Sequence, residues 1–100
     1  MSNARVLAGK YRPLGYQQIT SLSSATGLTV PTSATIGNPV LALISCEDQN
    51  VRWRDDGTNP TTTVGMLLTA GSELAYSGDL GAIKFIEVTA SAELNISYYG

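Results

Sequence analysis

The stretch Asp55-Asp56-Gly57-Thr58-Asn59 sets several side-chain oxygens close together in the chain. Hard oxygen donors of this kind would take Ca²⁺, but the stretch lacks the ligand spacing of a calcium loop. Adjacent residues of an extended chain point to opposite sides, so Asp55 and Asp56 do not converge as an acid–base pair either. The stretch reads as a polar turn, and no metal site is expected. Cys46 is the single cysteine, and the sequence has no histidine. That removes the usual partner of a thiolate nucleophile, the commonest general base and the commonest metal ligand. Within the apolar run Val40–Cys46 the thiol reads as a buried, inert side chain. A lone cysteine also rules out an intrachain disulfide.

Arg52-Trp53-Arg54 combines an aromatic ring with two guanidinium groups, a pattern that can stack on single-stranded nucleic acid. Strand alternation instead puts Val51 and Trp53 on one face and the arginines on the other. Trp53 is therefore expected in the core. Arg52 and Arg54 are expected to meet carboxylates such as Glu87 on an adjoining strand. Gly78-Asp79-Leu80-Gly81 lacks the lysine and the following helix of a phosphate loop. Proline blocks Thr58-Asn59-Pro60-Thr61 as a glycosylation acceptor. Asn95-Ile96-Ser97 fits that pattern but falls inside an expected strand. No catalytic residue and no cofactor are expected, and the chain does not read as an enzyme.

The elements that carry these residues read as short strands. Gln17–Leu22 alternates, Ser23–Gly27 breaks it, and Leu28-Thr29-Val30 is a further short strand closed by Pro31. Thr32–Pro39 is loop-like. Val40–Cys46 is the most apolar run and is expected as a central strand, followed by the polar turn Glu47–Asn50 and the strand Val51–Arg54. Asp55–Pro60 is a loop, after which Thr61–Val64 is expected to begin a strand that Gly65–Leu68 continues. Glu73–Tyr76, Ala82–Val88 and Leu94–Tyr99 complete the set, with the last strands paired antiparallel. Strands at this spacing, with no helical period or caps, predict an all-β fold. The expected form is a compact antiparallel β-sandwich or jelly-roll-like barrel of about seven or eight short strands.

The 100 residues suffice for one core. Hydrophobic residues make up 43% and charged residues 14%, a neutral surface suited to a subunit that lives against other subunits. The formal charge of −2 gives no basic footprint, so no direct nucleic-acid binding is expected. No apolar run is long enough to span a membrane, and MSNARVLAGKYRPLGY lacks the apolar core of a secretion signal. The charge is unevenly placed. Residues 1–16 hold Arg5, Lys10 and Arg12 and no acid, whereas the remainder sets three cations against all eight acids. Gly9, Pro13 and Gly15 break any helical period. Residues 1–16 therefore read as an extended N-terminal arm and residues 17–100 as the β-sandwich domain. The expected partner-binding residues are Arg5, Lys10, Tyr11 and Arg12.

A string of patterns over about residues 40–100 carries a resemblance. Val51–Gly57, Pro60-Thr61, Val64–Leu68, Gly78-Asp79-Leu80, Ile83–Ile86 and Leu94–Tyr99 together resemble small all-β virion structural proteins of tailed bacteriophages. The resemblance implies a sandwich subunit that decorates or cements a capsid by bridging neighbouring capsid subunits, and it supplies no catalytic residues. Head–tail joining, or a tail or head-fibre role, is the alternative it also covers. A carbohydrate- or host-surface-binding module would need aromatics in exposed loops, and Trp53 and most tyrosines fall in expected strands. The implied partners are the major capsid protein or other virion subunits, and further copies of the chain as a homotrimer. The implied location is the virion, assembled in the host cytoplasm.

Overall fold

Alternation of side chains along the two longest central strands builds the core. In the computed structural model, which describes residues 11–32 and 37–100, Leu41–Glu47 buries Ala42, Ile44 and Cys46 and turns Leu43, Ser45 and Glu47 outward. Glu93–Tyr99 buries Leu94, Ile96 and Tyr98 in the same way. Their antiparallel register sets Ala42 opposite Tyr98, Ile44 opposite Ile96 and Cys46 opposite Leu94. The smallest of these side chains thus faces the largest, the pairing of volumes that close packing of a layer calls for.

Among the described residues there are eight strands: β1 (Pro13–Ile19), β2 (Thr26–Gly27), β3 (Leu41–Glu47), β4 (Val51–Arg54), β5 (Met66–Leu68), β6 (Glu73–Tyr76), β7 (Lys84–Glu87) and β8 (Glu93–Tyr99). Antiparallel ladders join β1 to β8, β2 to β7, β3 to β6 and β4 to β5. This nesting is one long hairpin, with β4 and β5 at its tip, rolled on itself. Two further ladders, β3 with β8 and β4 with β7, close the roll. The result is a sandwich of two four-stranded sheets, sheet A in the order β1-β8-β3-β6 and sheet B in the order β2-β7-β4-β5. That connectivity is a jelly roll. All ladders are antiparallel, but β7 and β8 belong to opposite sheets. Short links cross between the sheets instead of turning back within one.

One end of the sandwich is closed by backbone bonds that tie the links to one another and to strand ends. The Glu87 N–H donates to Leu22 O at 2.9 Å, Val88 N–H to Asn50 O at 2.9 Å, and Gly71 N–H to Cys46 O at 2.7 Å. Ser91, at φ 78°, is held there by Glu87, whose Oε1 accepts from the N–H groups of Ser91 and Ala92. Glu87 lies on the Val51 side of β7 and does not meet the arginines. The expected Arg–Glu87 pairing is therefore replaced by a cap on the β7–β8 link.

Three local expectations change for identifiable reasons. Leu28-Thr29-Val30 forms no ladder. Leu28 and Val30 pack on the core while the Thr29 N–H donates to the Gln17 side chain at 3.0 Å. The pairing falls instead on Thr26–Gly27, within the stretch expected to break the chain. Thr61–Val64 is a turn, not a strand. Thr61 Oγ1 accepts from the Val64 N–H at 3.0 Å and Thr61 N–H donates to Val64 O at 2.9 Å, so local bonds outcompete a ladder. Finally, the sheet takes in Pro13–Tyr16, the end of the expected arm. Pro13 pairs with Tyr99 and Tyr16 with Ser97, and Arg12 exchanges backbone bonds with Gly100.

Candidate interaction surface

The open side of the sandwich, where edge strands β5 and β6 face each other, holds the clearest surface feature. Trp53 shares the inward side of β4 with Val51, as its spacing predicts, but it is only half-buried at the rim of the core. Its indole meets the Tyr76 ring edge-on, with centroids 6.0 Å apart and planes at 65°. Met66 lies directly opposite Trp53 on β5. Trp53 and Met66, with Val64 and Gly65, line a groove of about 380 Å³, rimmed by Arg54, Asp55 and Asp56.

The polar rim is fixed. The Tyr76 hydroxyl donates to Asp55 Oδ2 at 2.7 Å. Burial first, and the Asp55 carboxylate second, push the Tyr76 phenol up to about 12. Gly78 presses so closely on the Tyr76 ring that any side chain there would collide with the hydroxyl. Arg54 holds Asp56 through two bonds, of 3.0 and 2.6 Å. This pairing lowers the Asp56 carboxyl below its ordinary range and raises the Arg54 guanidinium. The Asp55–Asn59 stretch is thus occupied by internal partners: Asp56 also accepts from the Thr58 N–H, and Asn59 accepts from Lys84 Nζ at 3.2 Å. Among the described residues, no group of three or more acidic or cysteine side chains is placed to hold a metal ion.

The arms of Arg52 also close on the loop. Its Nε donates to Thr62 O at 3.2 Å and its Nη1 to Gly65 O at 2.9 Å. Gly65 takes φ 141°, and a Cβ there would stand 3.1 Å from both Arg52 Cβ and Trp53 O. Only glycine fits that close approach without strain. The loop therefore delivers β5 to the sheet edge with Val64 51%, Met66 59% and Leu67 49% exposed. From Gly57 to Ser72 the chain carries no charge. An edge with neither lysine nor proline to blunt it is a surface ready to accept contact.

The expected arm residues divide. Tyr11 and Arg12 are exposed beside Gly100, at the end of the sandwich opposite the Glu87 cap. Arg5 and Lys10 lie outside the described residues. Cys46 is buried as expected; its Sγ donates to Gln49 O at 3.1 Å, and burial pushes the thiol up. Strand alternation alone does not mark the groove at Trp53. Its signal in the sequence is the uncharged run beside the single tryptophan. Among the described residues, no helix is long and apolar enough to cross a membrane.

Comparison with protein-family models, with curated proteins and with solved structures gave no match.

Proposed function

We propose that this chain is a virion structural protein of a tailed bacteriophage. It decorates or cements the capsid by bridging neighbouring capsid subunits. The observation that carries the reading is the uncharged, apolar β5 edge beside the half-buried Trp53. Exposed apolar surface of this kind marks a site of contact with another protein. Jelly rolls also serve in viral capsids and lectins, an analogy of fold that supports the reading without supplying it. The chain works by contact and copy number, not by chemistry. Its partners are the shell subunits and further copies of itself, and Arg5, Lys10, Tyr11 and Arg12 add contacts to an acidic shell surface. A head–tail joining, tail or head-fibre position uses the same surfaces and differs only in symmetry.

The test is retention of the purified chain on particles assembled without it. Saturable binding at a fixed ratio, weakened by Leu67→Glu, is the expected result. No retention at any concentration, or equal retention of the variant, overturns the reading. Selective binding to a glycan through Trp53 would replace it with a carbohydrate-binding role.

A further inference from the structure

The strands carry seven charged residues, and the fold sorts them by sign. Sheet A holds Glu47, Glu73 and Glu93, all on its outer face, and no cation. Sheet B holds Arg52, Arg54 and Lys84 on its outer face. Its one acid, Glu87, turns inward to cap the β7–β8 link. Within each face, like charges stand directly opposite: Arg54 faces Lys84 and Glu47 faces Glu93. Opposed like charges cost a sheet stability, so the packing of a single copy does not account for this sorting.

The charges are also poorly neutralised at home. Arg52 bonds to two backbone carbonyls and Lys84 to the Asn59 amide oxygen. Glu93 accepts from the Gln18 amide at 2.9 Å. Among the described residues, Arg54 is the one strand cation that meets a carboxylate, Asp56 at the loop rim. Each face adds an exposed apolar group, Leu67 on the cationic side and Tyr16 on the acidic side. An apolar contact within a polar rim is the layout of a protein interface, and opposite charges on two facing surfaces favour their encounter.

We propose that copies of this chain stack face to face, with the cationic outer face of sheet B seated on the acidic outer face of sheet A of the next copy. The two faces are opposite in sign and belong to the same chain, so a second copy supplies the complement that neither face has on its own. The contact is head-to-tail in type: it closes as a ring where the rotation between copies allows and otherwise continues as a filament. This deepens the proposed structural role, and its test uses the purified chain alone. Its failure therefore leaves attachment to particles to be judged by the retention experiment.

Two charge reversals separate the outcomes. Arg54→Glu with Lys84→Glu makes both faces acidic and leaves the loop bonds of Arg52 intact. Glu47→Lys with Glu93→Lys makes both faces cationic. In sedimentation velocity the wild-type chain should self-associate at low salt. It should dissociate towards about 1 M salt, where the screening length falls to about 3 Å. Each variant alone should associate at least about tenfold more weakly. An equimolar mixture of the two should regain association, because their faces alternate in sign. Thermal unfolding verifies that each variant is folded. If a reversal prevents folding, Lys84→Gln and Glu93→Gln should each weaken association and reduce its salt dependence. A wild-type chain that stays monomeric, including one that instead binds a polyanion through Lys84, overturns the proposal. So do variants that associate like the wild type, or folded variants that fail to assemble when mixed.

Discussion

Trp53 illustrates how burial and exposure divide within one side chain. Its inner part packs on the core beside Tyr76, and its outer part lines the groove. Trp53→Ala should therefore destabilise by less than the about 3–5 kcal/mol of a fully buried aromatic, as read from urea unfolding, while removing the groove's apolar wall. A loss at or above that range would mean that the indole serves the core alone. The buried phenols make a second residue-scale prediction. Burial pushes Tyr76 and Tyr98 each up to about 12, against about 10 in an unfolded chain. Between these values the unfolded state loses protons that the folded state keeps, so the stability they contribute is complete below about pH 10 and is lost as pH rises through about 12. Tyr98→Phe should lower stability at neutral pH, since the hydroxyl donates to Gln17 Oε1 at 2.8 Å, yet flatten the alkaline fall. Melting temperatures from about pH 9 to about pH 12 decide it: an unchanged slope in the variant removes burial as the cause.

At the scale of elements, β1 and β5 carry the consequences. β1 pairs with β8 along its length, and Gly15 lies tight against Pro31. A chain beginning at Gln17 should be less stable than one beginning at Tyr11, because it loses the ladder from Pro13 to Tyr16. Equal melting temperatures would return those residues to an arm. On β5, Leu67→Lys should fold normally, with the wild-type melting temperature, since lysine is a common guard of natural edges, and should lower retention on particles in the sedimentation of particle-bound chain. Where alternation is backed by burial, the strands were legible in the sequence. Val40–Cys46 and Leu94–Tyr99 fall within about a residue of β3 and β8, and Val51–Arg54 coincides with β4. Two of the misplacements share one cause. Around Thr61–Val64 and Leu28–Val30, hydroxyl and amide side chains satisfy backbone groups that a ladder would otherwise take. The arm's boundary was hidden because Pro13 and Gly15 read as punctuation, although an edge strand tolerates both. The groove was legible only in part. Spacing put Trp53 on the inward face, but whether that face ends at a sheet rim depends on which strand is the edge, and only the tertiary pairing decides that.

For the whole molecule, the winding of the chain determines how it can come apart. Of the successive strands, only β4 and β5 pair with each other; every other link passes from one sheet to the other. Neither sheet is a continuous piece of sequence, so neither can form while the other remains unfolded. The core joins them further. Ile44, Leu94 and Ile96 of sheet A and Val51, Phe85 and Leu68 of sheet B belong to one buried cluster. Unfolding should therefore be a single cooperative transition, in contrast to a protein whose sheets open as separate units. Ile44→Ala tests this directly. Ile44 is fully buried and lies in sheet A alone, and its truncation should cost about 2–5 kcal/mol. If the roll is one unit, native-state hydrogen exchange should show the same loss of protection at the ladder amides of β4 and β7 as at those of β3 and β8, although the mutation touches only sheet A. If the loss stays within sheet A while the amides of sheet B keep their protection, the two layers are separable, and a jelly roll would here behave as two sheets that happen to share a core.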